Sequence, residues 1–191
     1  VVHKVTALVR VLPLRILAEN SQRLLEGEPL LRRQYLDWNL FHVEHDYLDL
    51  YRRFARTLRQ RNAWVRESAR GTAVWDAAYV RLSEAVDRRR RQLIGQLQSW
   101  LNARPLISSA HTAASWEYLP GWPQGMGLAE ALAANRGKEV ERGYSLFGPH
   151  RADLRVYQHL PTKAGTLSRG EMKFMVLLLQ LAAESVQQRV R

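Results

Sequence analysis

The sequence predicts a mixed α/β fold of the α+β kind, with a mainly helical arm inserted into a smaller part that contains strands. Three observations carry this. Apolar residues recur at three-and-four spacing through the middle of the chain, the mark of amphipathic helices. After Pro105, prolines and glycines break that pattern and short alternating runs replace it. The composition, 46% hydrophobic and 25% charged over 191 residues, is that of a globular chain rather than a disordered one.

Residues 5–17 mix branched apolar residues with Pro13 and read as an extended, largely buried strand pair. Asn20 or Ser21 is placed to cap a short helix that Gly27 and Pro29 close. From Leu30 to Val65 the pattern is helical, and Tyr47, Leu50, Tyr51, Phe54 and Leu58 fall on one stripe. A second long helix is expected from about Ala73 to Leu101, with Trp75, Tyr79, Leu82, Val86, Leu93 and Leu97 as its apolar positions. It would extend roughly 43 Å at 1.5 Å per residue, which suggests an arm reached through the Gly71 turn. Trp116 and Tyr118 alternate like a strand, and a short helix follows near Leu128–Asn135. Leu154 and Val156 alternate with Asp153, Arg155 and Tyr157, as in a half-buried strand. The last helix is expected from Ser168 to about Val190.

The composition also excludes classes of function. No cysteine is present, which removes disulfide scaffolds, thiol nucleophiles and thiolate metal sites. No apolar run reaches the roughly 18 residues of a membrane span. The start, Val1-Val2-His3-Lys4, lacks an initiator Met and a signal-peptide plan, so a piece of a longer chain is expected. The formal charge is +11, and 25 of the 29 basic residues are arginine. Residues 52–91 hold twelve of them against Glu67, Asp76, Glu84 and Asp87, so the excess is local. Arginine's planar fork suits phosphate oxygens, which points to nucleic acid or an acidic partner.

Arg52, Arg53, Arg56 and Arg59 fall largely off the apolar stripe of their helix and have few acidic neighbours. They are the favoured footprint for nucleic-acid phosphates. The run Arg88-Arg89-Arg90-Arg91 splays around its helix, and Glu84 and Asp87 stand four residues before Arg88 and Arg91; a solvated, salt-bridged face is expected there. The tryptophans at 38, 64, 75, 100, 116 and 122 are expected to be mostly buried rather than to stack on bases. His42, Glu44, His45 and Asp46 lack the spacing of a metal motif. His150, Asp153 and Ser168 do not make a hydrolase triad, because an extended 150–157 sets the first two on opposite faces.

Ser168-Arg169-Gly170-Glu171 has two readings of equal standing. As a capping box, Ser168 meets the Glu171 amide and Glu171 reaches back to the amide of Ser168. As an anion site, it offers first-turn amides, a hydroxyl, the Arg169 cation and no side chain at Gly170. The capping box leaves Gly170 unexplained, and glycine within a helix costs roughly 1 kcal/mol against alanine.

Thr166-Leu167-Ser168-Arg169-Gly170-Glu171 resembles the signature loop of SMC-like ABC-type ATPases, and Gly148-Pro149-His150-Arg151-Ala152-Asp153-Leu154 resembles the motif that precedes it in the RecF family. Arg32-Arg33, Leu36-Asp37-Trp38, Phe41-His42, Arg59-Gln60-Arg61-Asn62, Gly121-Trp122 and Arg142-Gly143-Tyr144 fit the same family in the same order, from about Leu12 to Leu181. The sequence departs from it in two ways. It holds no G-x-x-x-x-G-K-[ST] phosphate loop, since Gly137-Lys138 is followed by Glu139, and no apolar strand ending in paired acids follows the signature helix. Glu171 also stands where many members carry Gln.

The resemblance implies an ABC-type ATPase head with an inserted helical arm. Residues 1–27 would end the first head lobe, 28–104 would form the arm that meets DNA or a partner, and 105–191 would be the head portion with the signature. It further implies ATP-dependent binding of single-stranded or gapped DNA, support of recombinase loading in a cytoplasmic repair pathway, and partners of the RecO and RecR type. ATP would be held in trans at a homodimer interface, with Ser168 and Gly170 at the γ-phosphate and Arg169 nearby. Mg2+ would be held by the phosphate-loop Ser/Thr and the downstream acid, so this chain alone is not expected to hydrolyse ATP. For His150, Arg151 and Asp153 the resemblance marks a motif and gives no role beyond a place near the nucleotide or the signature loop. The alternative reading is a non-enzymatic, basic helical nucleic-acid-binding module or an inactive truncated product.

Overall fold

A computed structural model of the chain describes residues 21–67, 75–104, 114–158 and 168–188. The strand pair expected at 5–17 and the Gly71 turn lie outside the described residues. The elements in order are helices α1 (Arg23–Glu26), α2 (Pro29–Val43), α3 (Tyr47–Glu67) and α4 (Asp76–Asn102), strand β1 (Ala114–Leu119), helices α5 (Leu128–Ala134) and α6 (Arg136–Arg142), a 3-10 turn at Pro149–Arg151, strand β2 (Asp153–Gln158) and helix α7 (Arg169–Gln188). β1 pairs with β2 in a two-stranded sheet. The fold is α+β and mostly helical, as the periodicity predicted.

The chain divides into two compact units of discontinuous pieces. The first comprises Val1–His45, Gln92–Glu117 and Leu154–Arg191, and the second Asp46–Arg91 and Tyr118–Asp153. In the first unit α1, α2 and α7 pack on one another. Leu36 and Leu40 of α2 are buried, as are Met175, Val176, Leu179, Ala182 and Ala183 of α7. Polar bonds fix the register: the Tyr35 hydroxyl donates to the Leu179 carbonyl at 2.9 Å, and Gln187 donates to the buried Asn39 at 3.3 Å. The second unit closes around Phe54, Tyr79, Leu82, Val86, Leu128 and Leu132, with Trp122 and Phe147 against them.

Several expectations need correction. The helix read as continuous from Leu30 to Val65 is two helices, broken at Glu44, whose backbone is extended (φ −116°, ψ 112°). Asp46 then opens α3, its carbonyl accepting the Leu50 amide at 3.0 Å, so an acidic residue before an apolar run acts as a start signal within what read as one helix. Gln22, not Asn20 or Ser21, stands at the start of α1, without a side-chain cap. Pro29 is the first residue of α2 rather than the end of α1, since its missing N–H costs nothing there. The segment after Asn135 is a further helix, α6, ended by Gly143 in the left-handed conformation.

Candidate functional site

The two motifs that carried the resemblance are built differently. Ser168 precedes α7, and the capping box forms: the Glu171 amide donates to Ser168 Oγ at 3.2 Å, and the Ser168 amide donates to Glu171 Oε2 at 2.7 Å. The Met172 amide, bonded to the Ser168 carbonyl at 3.0 Å, makes the first helical bond, so the amides of Arg169 and Gly170 stand in the open first turn. Ser168, Arg169 and Gly170 are all exposed. Among the described residues, a Cβ at Gly170 would meet nothing closer than Ser168 Oγ at 4.0 Å, so no packing among them demands glycine there. Gly170 also heads an exposed apolar stripe, because Phe174, Leu177 and Leu181 follow it at helical spacing and are 45, 37 and 47% exposed.

The motif around His150 lies in the second unit and is held from all sides. Gly148 has φ +137°, and a Cβ on it would collide with the Tyr79 hydroxyl. Its amide donates to the Gly121 carbonyl at 3.1 Å, and Gly121 (φ +91°) is crowded in turn by the Gly148 carbonyl. Arg90, 1% exposed, donates to the Pro149 carbonyl at 2.7 Å. His150 Nε2 lies 3.0 Å from the Ser145 carbonyl, so it is the donor nitrogen there, and Nδ1 lies 3.3 Å from the Tyr79 hydroxyl. His150 is in the 3-10 turn and Asp153 starts β2, so the extended geometry assumed for 150–157 begins only after the turn, at Ala152.

Beneath this motif is a buried polar network that the sequence reading missed. Arg61, 2% exposed, donates through Nε to Asp76 at 2.8 Å, through Nη1 to Ser145 Oγ at 2.6 Å and through Nη2 to Glu139 at 2.6 Å. Ser145 Oγ and its amide both donate to Asn62 Oδ1, at 2.7 and 2.9 Å, and the Leu146 amide donates to Glu139 Oε1 at 2.8 Å. Asp76 is shared with Arg136 at 2.6 Å. Burial alone would lower the pKa of the Arg61 guanidinium, but its bonds and charge pairing with Glu139 and Asp76 outweigh that and raise it. Burial pushes the Tyr79 hydroxyl up strongly.

The basic residues sort into two kinds. Arg52, Arg53, Arg56 and Arg59 are all exposed, on the side of α3 away from the buried Phe54, Thr57, Arg61 and Val65. Arg52 makes one loose pair with the exposed Asp49 at 3.7 Å. The 88–91 run is not uniformly solvated as expected: Arg91 pairs with Asp87 at 2.7 Å and Arg89 with Asp46 at 3.1 Å, but Arg90 is buried because it falls on the apolar stripe of α4. The tryptophans also differ from expectation. Trp38 is 40% exposed, and the other five are half-buried, with Arg104 stacked 3.7 Å over Trp100.

No family model matches the chain. Curated relatives do. The chain is 35% identical over 187 residues to the DNA replication and repair protein RecF of Chromohalobacter salexigens, covering 94% of this chain and 50% of that protein. It is 36% identical over 199 residues to the protein of the same name from Azotobacter vinelandii, covering all of this chain and 53% of that one. Among solved structures, the recombination mediator protein RecF-ATP of the RecFOR pathway shares the fold, with a TM-score of 0.77 at 16% identity over 88% of this chain and 49% of that one. The chain thus spans about half the length of the curated relatives it matches, and over that half it is similar to RecF proteins in sequence and fold.

Proposed function

We propose that this chain serves ATP-dependent DNA binding in replication and repair, as the signature-bearing part of a RecF-type protein. The observation that carries the reading is the start of α7: an exposed Ser168-Arg169-Gly170 turn whose glycine nothing among the described residues requires. A terminal phosphate brought by a second copy would meet two open amides and the Arg169 cation. Ser168 Oγ accepts from the Glu171 amide, and its own hydroxyl hydrogen is left to donate to that phosphate. Phe174, Leu177 and Leu181, beside Gly170, offer the apolar area that an assembled head needs to cover. Mg2+ belongs to the phosphate-loop and acidic-strand chemistry of the partner half-site, and the described residues hold no cluster of three or more His, Asp or Glu suited to it.

In this reading the exposed Arg52, Arg53, Arg56 and Arg59 face meets phosphates of single-stranded or gapped DNA, with residues 28–104 as the arm. ATP binding joins two copies, and hydrolysis releases them. The protein acts with RecO- and RecR-type mediators to load recombinase in the cytoplasm. No described helix is long and apolar enough to cross a membrane. His150 acts as a positioning residue, since its ring contacts to Ser145 and Tyr79 brace the second unit.

The test is Ser168→Arg in the complete protein. ATP binding should persist, while ATP-dependent dimerisation and turnover disappear, as measured by nucleotide binding, sedimentation and phosphate release. Normal dimerisation and turnover would remove the trans role. Charge reversal at Arg52 and Arg56 should weaken DNA binding and flatten its salt dependence; unchanged slopes would remove the arm from the DNA contact.

A further inference from the structure

The loop that the buried network holds carries an exposed aromatic side chain. Tyr144 follows Gly143, is 37% exposed, and has the Arg151 guanidinium 5.2 Å from its ring centre. Arg66 packs against the same loop, its Cγ about 3.1 Å from where a Gly143 Cβ would be. Arg142, two residues before Tyr144, is also exposed. Among the described residues, Arg66, Arg142 and Arg151 make no ion pair, although Glu67 and Glu141 are their neighbours in sequence. Arg142 also suits the end of α6 electrostatically, which explains its presence without a ligand. Arg66 suits the last turn of α3 in the same way, whereas the exposure of Tyr144 under Arg151 has no such internal explanation.

We infer that Tyr144, flanked by Arg66 and Arg151, is a stacking platform for an unpaired base of a nucleic-acid strand, the two arginines meeting the adjoining phosphates. This rests on the proposed DNA-binding role and adds to it a contact separate from the Arg52–Arg59 face. A ring with one face under a guanidinium keeps the other for a base, and every base has a π face to offer. A duplex hides its base faces, so the platform favours single strands. An acidic protein would use the arginines but has no need of the ring, and exposed ion pairs add little by themselves.

The loop is also preorganised. Backbone and side-chain atoms of Ser145, the Leu146 amide and the Phe147 carbonyl are bonded to Asn62, Arg61, Glu139, His150 and Tyr79. A ring presented on a fixed backbone loses little freedom on binding. The buried network, which the nucleotide role does not use, gains a purpose as the mount for Tyr144.

The test measures binding of the complete protein, with ATP, to a labelled oligothymidine and to a duplex of equal length across a salt series. Tyr144→Ala should weaken single-strand binding by roughly five- to a hundred-fold while sparing the duplex, and Tyr144→Phe should restore it. Arg66→Ala and Arg151→Ala should each lower the salt slope by about one. Wild-type protein that binds neither DNA would sink the proposed function and this inference together. Wild-type binding that Tyr144→Ala leaves unchanged would sink the platform alone, as would equal losses on single strand and duplex. Displacement of the oligothymidine by polyglutamate at matched charge, kept in Tyr144→Ala and lost in Arg66→Ala and Arg151→Ala, would assign the patch to an acidic protein instead.

Discussion

Gly148-Pro149-His150-Arg151 and Ser168-Arg169-Gly170-Glu171 are both short, glycine-bearing motifs, yet their surroundings are opposite. In the first, Gly148 is required by the Tyr79 hydroxyl above it, the Pro149 carbonyl is taken by Arg90, and the His150 ring reaches Ser145 and Tyr79. In the second, the cap forms, and among the described residues a Cβ at Gly170 would meet only Ser168 Oγ, at 4.0 Å. A motif consumed by its own fold positions other things. A motif whose Ser, Arg and Gly are exposed leaves room for a contact from outside.

The largest test of this contrast is at Arg61. Arg61→Ala leaves Glu139, 1% exposed, and Asp76 without their buried cation. Breaking one side of a buried pair costs about 3–5 kcal/mol, so the urea midpoint should fall sharply and the second unit should lose cooperativity. A loss under about 1 kcal/mol would mean that water replaces the guanidinium freely and the network is no brace. The next effect is at Gly148. Alanine there must adopt φ near +137° and displace the Tyr79 ring, at about 1–3 kcal/mol for the backbone alone. Gly170→Ala, by contrast, should stabilise α7 by roughly 1 kcal/mol. Equal effects at the two glycines, measured by denaturation, would erase the distinction drawn here.

A smaller effect should appear at high pH. Burial raises the Tyr79 hydroxyl pKa above that of an exposed tyrosine, so the folded state holds its proton after the unfolded chain has released one. Stability from this group is whole below about pH 10 and is lost as pH rises further. Tyr118, also buried and raised, adds to the decline. Tyr79→Phe should lose about 1 kcal/mol at neutral pH with the Phe147 bond, but decline less between pH 9 and 11, in roughly the range set by the free phenol. An identical alkaline slope in wild type and variant would show that Tyr79 ionises in the folded state.

Local pattern carried much of the fold into view. The stripe of Tyr47, Phe54 and their neighbours is buried or half-buried as spaced, both strands stand where alternation put them, and the capping box forms. The buried network was hidden because its members lie far apart: Arg61 bonds residues 15, 78 and 84 positions away. No spacing rule links them. One signal was available, since Arg61 follows Phe54 and Thr57 and precedes Val65 on the buried face of α3, and Arg90 likewise follows Val86 on α4. An arginine on an apolar stripe must find buried partners, and that alone separates these two from the exposed arginines at 52, 53, 56 and 59. Tyr144 was quoted only as part of a motif, because exposure beside arginines is settled by the loop's mounting rather than by its sequence.

The finest test of the contrast lies in Glu171. Its carboxylate is held 2.7 Å from the Ser168 amide, where it stabilises the start of α7 and sets a negative charge at the turn proposed to meet phosphate. Glu171→Gln keeps an oxygen for that amide and so keeps the box, while removing the charge. Helix stability should fall by only a few tenths of a kcal/mol. ATP-dependent association of the complete protein should rise a few-fold at low salt, and the gain should shrink as salt screens the exposed site. Sedimentation across ATP and salt concentrations reads both effects. Association that weakens, or a gain indifferent to salt, would mean that no anion approaches this turn, and the exposed glycine would then need a different visitor.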